Sequence, residues 1–229
     1  MSLNLDCSWR IGESSFRYIC GLIRDNNFRS LVEFGSGAST ARLAAELPKL
    51  SIVSIDHDPD FLEQTRRLLA QSAPDAPVEL QHRPLKFSFL LGRPFLTYTK
   101  PRLPEEIDVV VIDGPPGGTR RGREACLYHC YDRLRVGGLI VLDDVYRQNE
   151  QLVLANWLAV YPDSFAWRLW YGGNVLAVLQ KRMHRKPARS LFAWEDSYEV
   201  FFQQMRLALK ARLGLKVRAC DSDSGCAAQ

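Results

Sequence analysis

The chain has 229 residues, 46% of them hydrophobic and 24% charged, with a formal net charge of +4. That length fits one α/β domain with additions, or at most two small domains, of ordinary globular composition. No window approaches the ~18 uninterrupted apolar residues of a membrane helix, which argues against a spanning segment.

The basic charge is uneven. Residues 181–229 hold 10 Lys/Arg and 5 Asp/Glu, while the first 180 hold 20 and 21. A core without basic excess argues against a nucleic-acid groove there. The opening residues MSLNLDCSWR show no basic segment followed by an apolar core, so no secretory signal is expected. Cys7, Cys20, Cys126, Cys130, Cys220 and Cys226 form no CxxC pair. Cys126 and Cys130 share a helix face with His129 beside them, but a zinc site needs four convergent ligands; buried thiols in a reducing, cytoplasmic compartment are expected.

In chain order, 12–27 has helical apolar spacing, and 30–35 (SLVEFG) is a short buried strand. A helix follows over 38–49, a strand over 50–56, a helix over 58–72 and a strand over 77–85. The stretch to about 104 is rich in Phe, Leu, Pro and Gly and carries no clear period. Then come a strand (106–114), a helix (120–135), a strand (137–145), a helix (149–161), and two strand-like runs within 164–182 around Gly172-Gly173, a hairpin signal. The alternation predicts a Rossmann-like three-layer α/β sandwich: a mostly parallel seven-stranded sheet with an antiparallel closing strand. The domain is expected to span 1–182. Residues 183–229 form a basic helical extension, with a helix over about 197–215 and an unstructured tail, CDSDSGCAAQ.

The stretch VEFGSGAST (32–40) runs from strand through glycines into a helix start. Glycine permits a sharp turn and close approach of a ligand to the backbone, and the helix start presents free N–H donors. Ligands of open parallel sheets bind beyond the carboxyl ends of the strands. Asp56 closes the second strand, where a carboxylate can accept hydrogen bonds from both ribose hydroxyls. Two ligands compete. A dinucleotide would favour GxGxxG, but the third small position here is Thr40. S-adenosylmethionine has a ribose but no phosphate, and Glu33 suits its ammonium group, directly or through water.

At these positions the sequence resembles the class I S-adenosylmethionine-dependent methyltransferases. VEFGSGAST is similar to their first motif, VSIDHDP to the ribose-binding second, DVVVIDGPPG to the fourth and LRVGGLIVLDDV to the fifth-strand motif. The wording SIDHDPDFLEQTR, IDGPPG and VLDDVYRQNE is closest to the small-molecule, methyltransferase-24-like subgroup, and the resemblance covers roughly 28–181. It implies that Glu33, Gly35, Ser36, Gly37 and Ser39 line the methionine end, that Asp56 holds the ribose with His57 beside the adenine, and that Asp113 also meets the cofactor. Arg83 departs from the acidic or small residue usual at the adenine position.

Asp113, Asp143 and Asp144 end neighbouring strands, and three converging carboxylates are costly without a cation. Oxygen ligands suit Mg²⁺. The arrangement is similar to the metal site of catechol O-methyltransferase-like enzymes, although Asp-Asp replaces their Asp-Asn and Pro116 stands where they have a lysine. Two readings stay open: Asp113, Asp143 and Asp144 hold a metal, or Asp113 touches cofactor or substrate while Asp144 caps a helix. Asp113, Asp144 and Arg120 are the catalytic candidates, with Arg120, Arg121 and Arg123 able to clamp an anionic small-molecule acceptor. Tyr98, His82 and Tyr146 are candidate bases or pocket walls. The Phe201, Phe202, Met205 and Leu209 face could cover the pocket, form a homodimer or lie on a membrane. The terminal CAAQ fits a prenylation pattern only by its outline. The expected activity is methyl transfer to a small-molecule hydroxyl. The alternatives are a non-catalytic binding module and a metal-dependent enzyme of other chemistry on the same fold.

Overall fold

The computed structural model describes residues 11–188 together with 198, 201, 202, 205, 206 and 209. Helix α1 (Glu13–Asp25) buries Phe16, Ile19, Cys20 and Ile23, the i, i+3, i+4, i+7 stripe of an amphipathic helix. Strand β1 (Ser30–Phe34) leads through the glycine turn into α2 (Ala38–Glu46) and then β2 (Ser51–Asp56). Helix α3 (Pro59–Ser72) begins at Asp58, whose carboxylate accepts from the Asp60 and Phe61 N–H groups, with proline in the first turn. Strand β3 (Val78–His82) follows.

The unperiodic stretch is a β-hairpin. Strand β4 (Leu85–Leu90) pairs antiparallel with β5 (Arg93–Tyr98), from Leu85↔Tyr98 to Leu90↔Arg93, around the two-residue turn Leu91-Gly92. Both turn residues have positive φ, 52° and 78°, the backbone that closes tight hairpins with the correct twist. The expected 77–85 strand is therefore two strands, broken at Arg83-Pro84. The hairpin fills the crossover between β3 and β6 (Ile107–Ile112) that a helix commonly occupies in a parallel sheet.

Helix α4 (Gly122–Cys130) is shorter than the expected 120–135, because β7 (Leu134–Leu142) begins before the glycines. Ile107 pairs with Leu134 but Val109 pairs with Leu139, so Gly137-Gly138 sits in a bulge inside the strand, with φ +87° at Gly137. Helix α5 (Gln148–Val160), β8 (Phe165–Tyr171) and β9 (Val175–Lys181) complete the domain. The closing hairpin loop has three residues, 172–174, rather than two, since Tyr171 pairs with Val175.

The sheet order is β3-β2-β1-β6-β7-β9-β8, and β9 runs antiparallel to both neighbours while the others run parallel. The expected architecture is present. Alternate side chains of the central strands feed two cores. Leu31, Ile52, Val109 and Val111 pack with Ile19 and Leu43 on one face; Val32, Ile55, Val110 and Ile112 pack with Cys126, Leu127 and Trp157 on the other. Strand order reverses between β1 and β6, which opens a crevice at their carboxyl ends. Of the expected extension, residues 183–188 carry no helix or strand, and 198, 201, 202, 205, 206 and 209 are helical; the remainder, including the expected tail and CAAQ, lies outside the described residues.

Candidate active site

A cleft of about 530 Å³ opens at that crevice and is lined by Gly35, Ser36, Gly37, Ser39, Asp56, His57, Asp113, Asp143 and Asp144. The tips of β1, β2, β6 and β7 thus meet at one place.

The glycine turn is built by steric necessity. Gly35 has φ +103°, and a Cβ there would lie 3.0 Å from the Gly114 nitrogen. A Cβ on Gly114 would lie 2.3 Å from the Tyr98 hydroxyl. The turn after β6, the turn after β1 and the end of the hairpin therefore close on one another without side-chain room to spare. A Cβ on Gly37, by contrast, would meet nothing within 4 Å, so that edge of the turn is open.

Asp56 ties two turns together. Its Oδ2 accepts from the Ser36 N–H at 2.8 Å and its Oδ1 from the Asp58 N–H at 2.9 Å. His57 Nδ1 lies 3.0 Å from Oδ1, and this partner raises the imidazole pKa. Phe61, 39% exposed, and Tyr98 add aromatic wall. The Tyr98 side chain is buried, and desolvation holds its phenol well above the usual range.

Glu33 is placed otherwise than the sequence suggests. It is fully buried and does not line the cleft. Ser39 donates to Oε1 at 2.8 Å, while Thr40 and Ser54 donate to Oε2 at 2.5 and 2.8 Å. Position 33 thus anchors the glycine turn to the start of α2, and its oxygens are buried against hydroxyl donors rather than facing the cleft. Burial pushes its pKa up to about 7, against the three hydroxyl donors. Thr40, which spoils a dinucleotide fingerprint, is one of those donors.

The three aspartates do converge: Asp113, Asp143 and Asp144 each offer an oxygen within 4.8 Å of the others. The cations beside them come from the first turn of α4 and from the residue that precedes α5. Arg123, in the first turn of α4, is 5% exposed in its side chain and reaches Asp144 Oδ2 at 3.3 Å, Asp113 Oδ1 at 3.5 Å and Glu150 Oε1 at 3.6 Å. It also donates to the carbonyls of Pro115 and Asp143. Arg147 meets Asp144 Oδ2 at 3.1 Å and keeps 40% of its side chain exposed. Burial, then the neighbouring carboxylates, push Asp143 up to about 7. Burial also raises Asp113 and Glu150, in each case against the pull of Arg123.

Arg120 and Arg121 are not in the cleft. Arg121 is buried and paired with Glu124, and Arg120 closes the short 3₁₀ turn at 117–119. A charged loop beside a site reads as a solvated clamp, but α4 begins at Gly122 and turns Arg123 inward. Arg147 and Asn174 reach the cleft without any sequence signal beyond their position after β7 and before β9. The main-chain N–H of Arg83 donates to the Asp56 carbonyl at 2.7 Å, and its side chain is not among the cleft-lining residues. His82 is exposed and Tyr146 is 56% exposed at the rim. Cys126 and Cys130 are buried free thiols raised by desolvation, and burial lowers the neighbouring His129 to about 4.

The donor chemistry of the aspartates fits a hard divalent cation, since all are oxygens. Four carboxylates, Glu150 included, face two guanidinium groups. Both Glu150 oxygens are buried without a hydrogen-bond partner among the described residues. The cluster therefore keeps room for further positive charge.

Residues 32–145 match the family described as methyltransferase domain. No curated protein sequence matches the chain. Among solved structures, a methyltransferase of Podospora anserina, PaMTH1, with S-adenosylhomocysteine bound, is 14% identical over 76% of this chain and 80% of its own, with TM-score 0.59. An O-methyltransferase from Bacillus cereus in complex with S-adenosylhomocysteine is 15% identical over 76% and 84%, with TM-score 0.57. The O-methyltransferase TomG of Streptomyces achromogenes, involved in tomaymycin synthesis, is 17% identical over 76% and 82%, with TM-score 0.57. At these identities the likeness is one of fold. With the motif order and the family match, residues 32–145 belong to the methyltransferase-24 family, and the chain is a class I S-adenosylmethionine-dependent methyltransferase.

Proposed function

We propose that the cleft transfers a methyl group from S-adenosylmethionine to a hydroxyl oxygen of a small molecule. The observation that carries this reading is the placement of Asp56 and the Gly35–Gly37 turn in one cleft with the Asp113, Asp143 and Asp144 cluster. When bound, the cofactor supplies a methyl group activated by its sulfonium. Asp56 Oδ1 is taken by the Asp58 N–H and His57 Nδ1, but Oδ2 accepts only the Ser36 N–H, and a carboxylate has about four lone-pair sites, so Oδ2 retains acceptor capacity for a ribose hydroxyl. Gly37 and Ser39 at the start of α2 leave the methionine end open to backbone donors. His57 and Phe61 provide the flat wall an adenine needs.

On the acceptor side Asp113 is the aspartate with the most exposed side chain, 30%. In the absence of a metal, its raised pKa suits it to take the proton that leaves the attacking hydroxyl. Arg123 holds Asp113 and Asp144 in place through contacts to both. Arg147, rather than Arg120, is the cation positioned to meet an anionic acceptor. Asp113, Asp143 and Asp144 are the residues that would hold Mg²⁺, whose charge acidifies a coordinated hydroxyl.

Calorimetry with S-adenosylmethionine and S-adenosylhomocysteine tests the cofactor. Methyl transfer to a panel of hydroxylated metabolites, with and without Mg²⁺, tests the chemistry. Binding without transfer to any oxygen acceptor would overturn the reaction and keep the site.

A further inference from the structure

The β4–β5 hairpin brings one polar group to the cleft. Tyr98, the last residue of β5, belongs to the cleft lining although the residue as a whole is buried. Its ring stands between those of Phe34, at 5.7 Å, and His57, at 6.2 Å. Its hydroxyl lies beside Gly114, where an added Cβ would come within 2.3 Å of it. That same carbon would lie 3.1 Å from the Gly35 Cα. The phenol oxygen therefore stands next to the place where the turns after β1 and β6 touch.

A phenol carries one donor and two acceptor lone pairs. Nearby buried hydroxyls use theirs. Thr97 donates to the Gly122 carbonyl at 3.1 Å, Tyr128 donates to Glu124, and the Tyr131 and Ser164 hydroxyls pair at 2.8 Å. The Tyr98 hydroxyl forms no hydrogen bond among the described residues; the charges that act on it are those of Asp56, Arg123 and Asp113. A polar group withdrawn from water without a partner is costly, and one that borders a cleft can be completed by the ligand.

We propose that the Tyr98 hydroxyl oxygen meets the sulfonium end of S-adenosylmethionine and makes the site favour the methyl donor over the demethylated product. This rests on the cofactor reading of the cleft, with the ribose at Asp56, the methionine chain at Gly35–Gly37 and the acceptor at Asp113. The sulfur is bonded to the ribose carbon, the methionine chain and the methyl group that faces the acceptor. It therefore falls between those three places, as the phenol oxygen does. Carbons on a sulfonium are electron-poor, and their hydrogens donate weakly to an oxygen. S-adenosylhomocysteine has a neutral thioether and no methyl group, so the same oxygen gains little from it. Tyr98 is thus a specificity residue supplied by the hairpin.

Calorimetry with both ligands, on the wild type and on Tyr98→Phe, tests it. The substitution keeps the ring and removes only the oxygen. It is expected to weaken S-adenosylmethionine about two- to fivefold and to leave S-adenosylhomocysteine unchanged. A second measurement needs the wild type alone. The methyl protons of S-adenosylmethionine with a carbon-13-labelled methyl group should move downfield when the protein binds it. An effect on S-adenosylhomocysteine at least as large as that on S-adenosylmethionine overturns the proposal and leaves the cofactor site standing. A bound methyl signal that does not move downfield does the same. A wild type that binds neither ligand overturns the cofactor reading, and this proposal with it.

Discussion

At the scale of single residues, two buried carboxylates near the cleft do opposite work. Asp56 keeps free lone pairs at the cleft, so its proposed role is contact with the cofactor. Asp56→Asn is expected to weaken S-adenosylhomocysteine binding roughly 10- to 100-fold, the loss of one or two hydrogen bonds to a charged group, as read by calorimetry. Glu33 has no free lone pair facing the cleft, so its effect falls on stability. Burial holds its pKa up at about 7 in the folded protein, against an ordinary glutamate value of 4.5. Between those values the native state holds a proton that the unfolded chain has released, so stability falls as pH rises through that window. Denaturant unfolding across the window should show the wild type losing about 3 kcal/mol relative to Glu33→Gln; parallel pH curves would mean that Glu33 stays ionised throughout. The sequence shows an acid before the glycines but not its direction. That direction depends on Ser54 and Thr40, on two other elements, turning their hydroxyls toward it.

At the scale of elements, α4 and the β4–β5 hairpin decide what the strand tips can do. Periodicity places the parallel strands and their helices because each buries a regular face. It fails on the hairpin, whose apolar residues are shared between α4 on one side and Phe201 on the other, and on α4, whose first turn buries charge. Arg123 stands among Asp113, Asp144 and Glu150, so Arg123→Met leaves two buried carboxylates and one half-buried one with less compensation. The expected loss at neutral pH is about 3–5 kcal/mol, measured by denaturant unfolding. The loss should shrink in acid, because the raised pKa values of Asp113 and Glu150 let them take up protons first. The hairpin is tested where Tyr98 meets Gly114. Gly114→Ala puts a methyl group into the space of the phenol oxygen and should cost about 1–3 kcal/mol. Tyr98→Phe removes that oxygen, so the same substitution should cost less in the phenylalanine background. A double-mutant cycle with no coupling would show that the strain lies instead against Gly35, whose Cα is 3.1 Å from the same added carbon.

At the scale of the whole molecule, the four strand tips belong to both sides of the switch point, β1 and β2 on one and β6 and β7 on the other. Their order was legible because VEFGSGAST, VSIDHDP, DVVVIDG and LIVLDDV each end an apolar run in glycine or an acid. The cations were not, since Arg123 and Arg147 reach the cleft through helix geometry and no local pattern in the sequence reports it. A ligand seated across the switch point contacts both halves, and its binding free energy adds to the stability of the entire sheet. With free S-adenosylhomocysteine at about 100 times its Kd the gain is about 2.7 kcal/mol, which for a chain of this size raises Tm by roughly 5–10 °C. Any tight ligand would do that, so the diagnostic measurement is where hydrogen exchange slows. Protection is expected together in the turns after β1, β2, β6 and β7. If it appears at 35–39 and 56–58 but leaves 113–117 and 143–147 unchanged, the nucleoside sits on one half of the sheet. The aspartate cluster would then be a separate feature, and methyl transfer beside it would have no geometric basis.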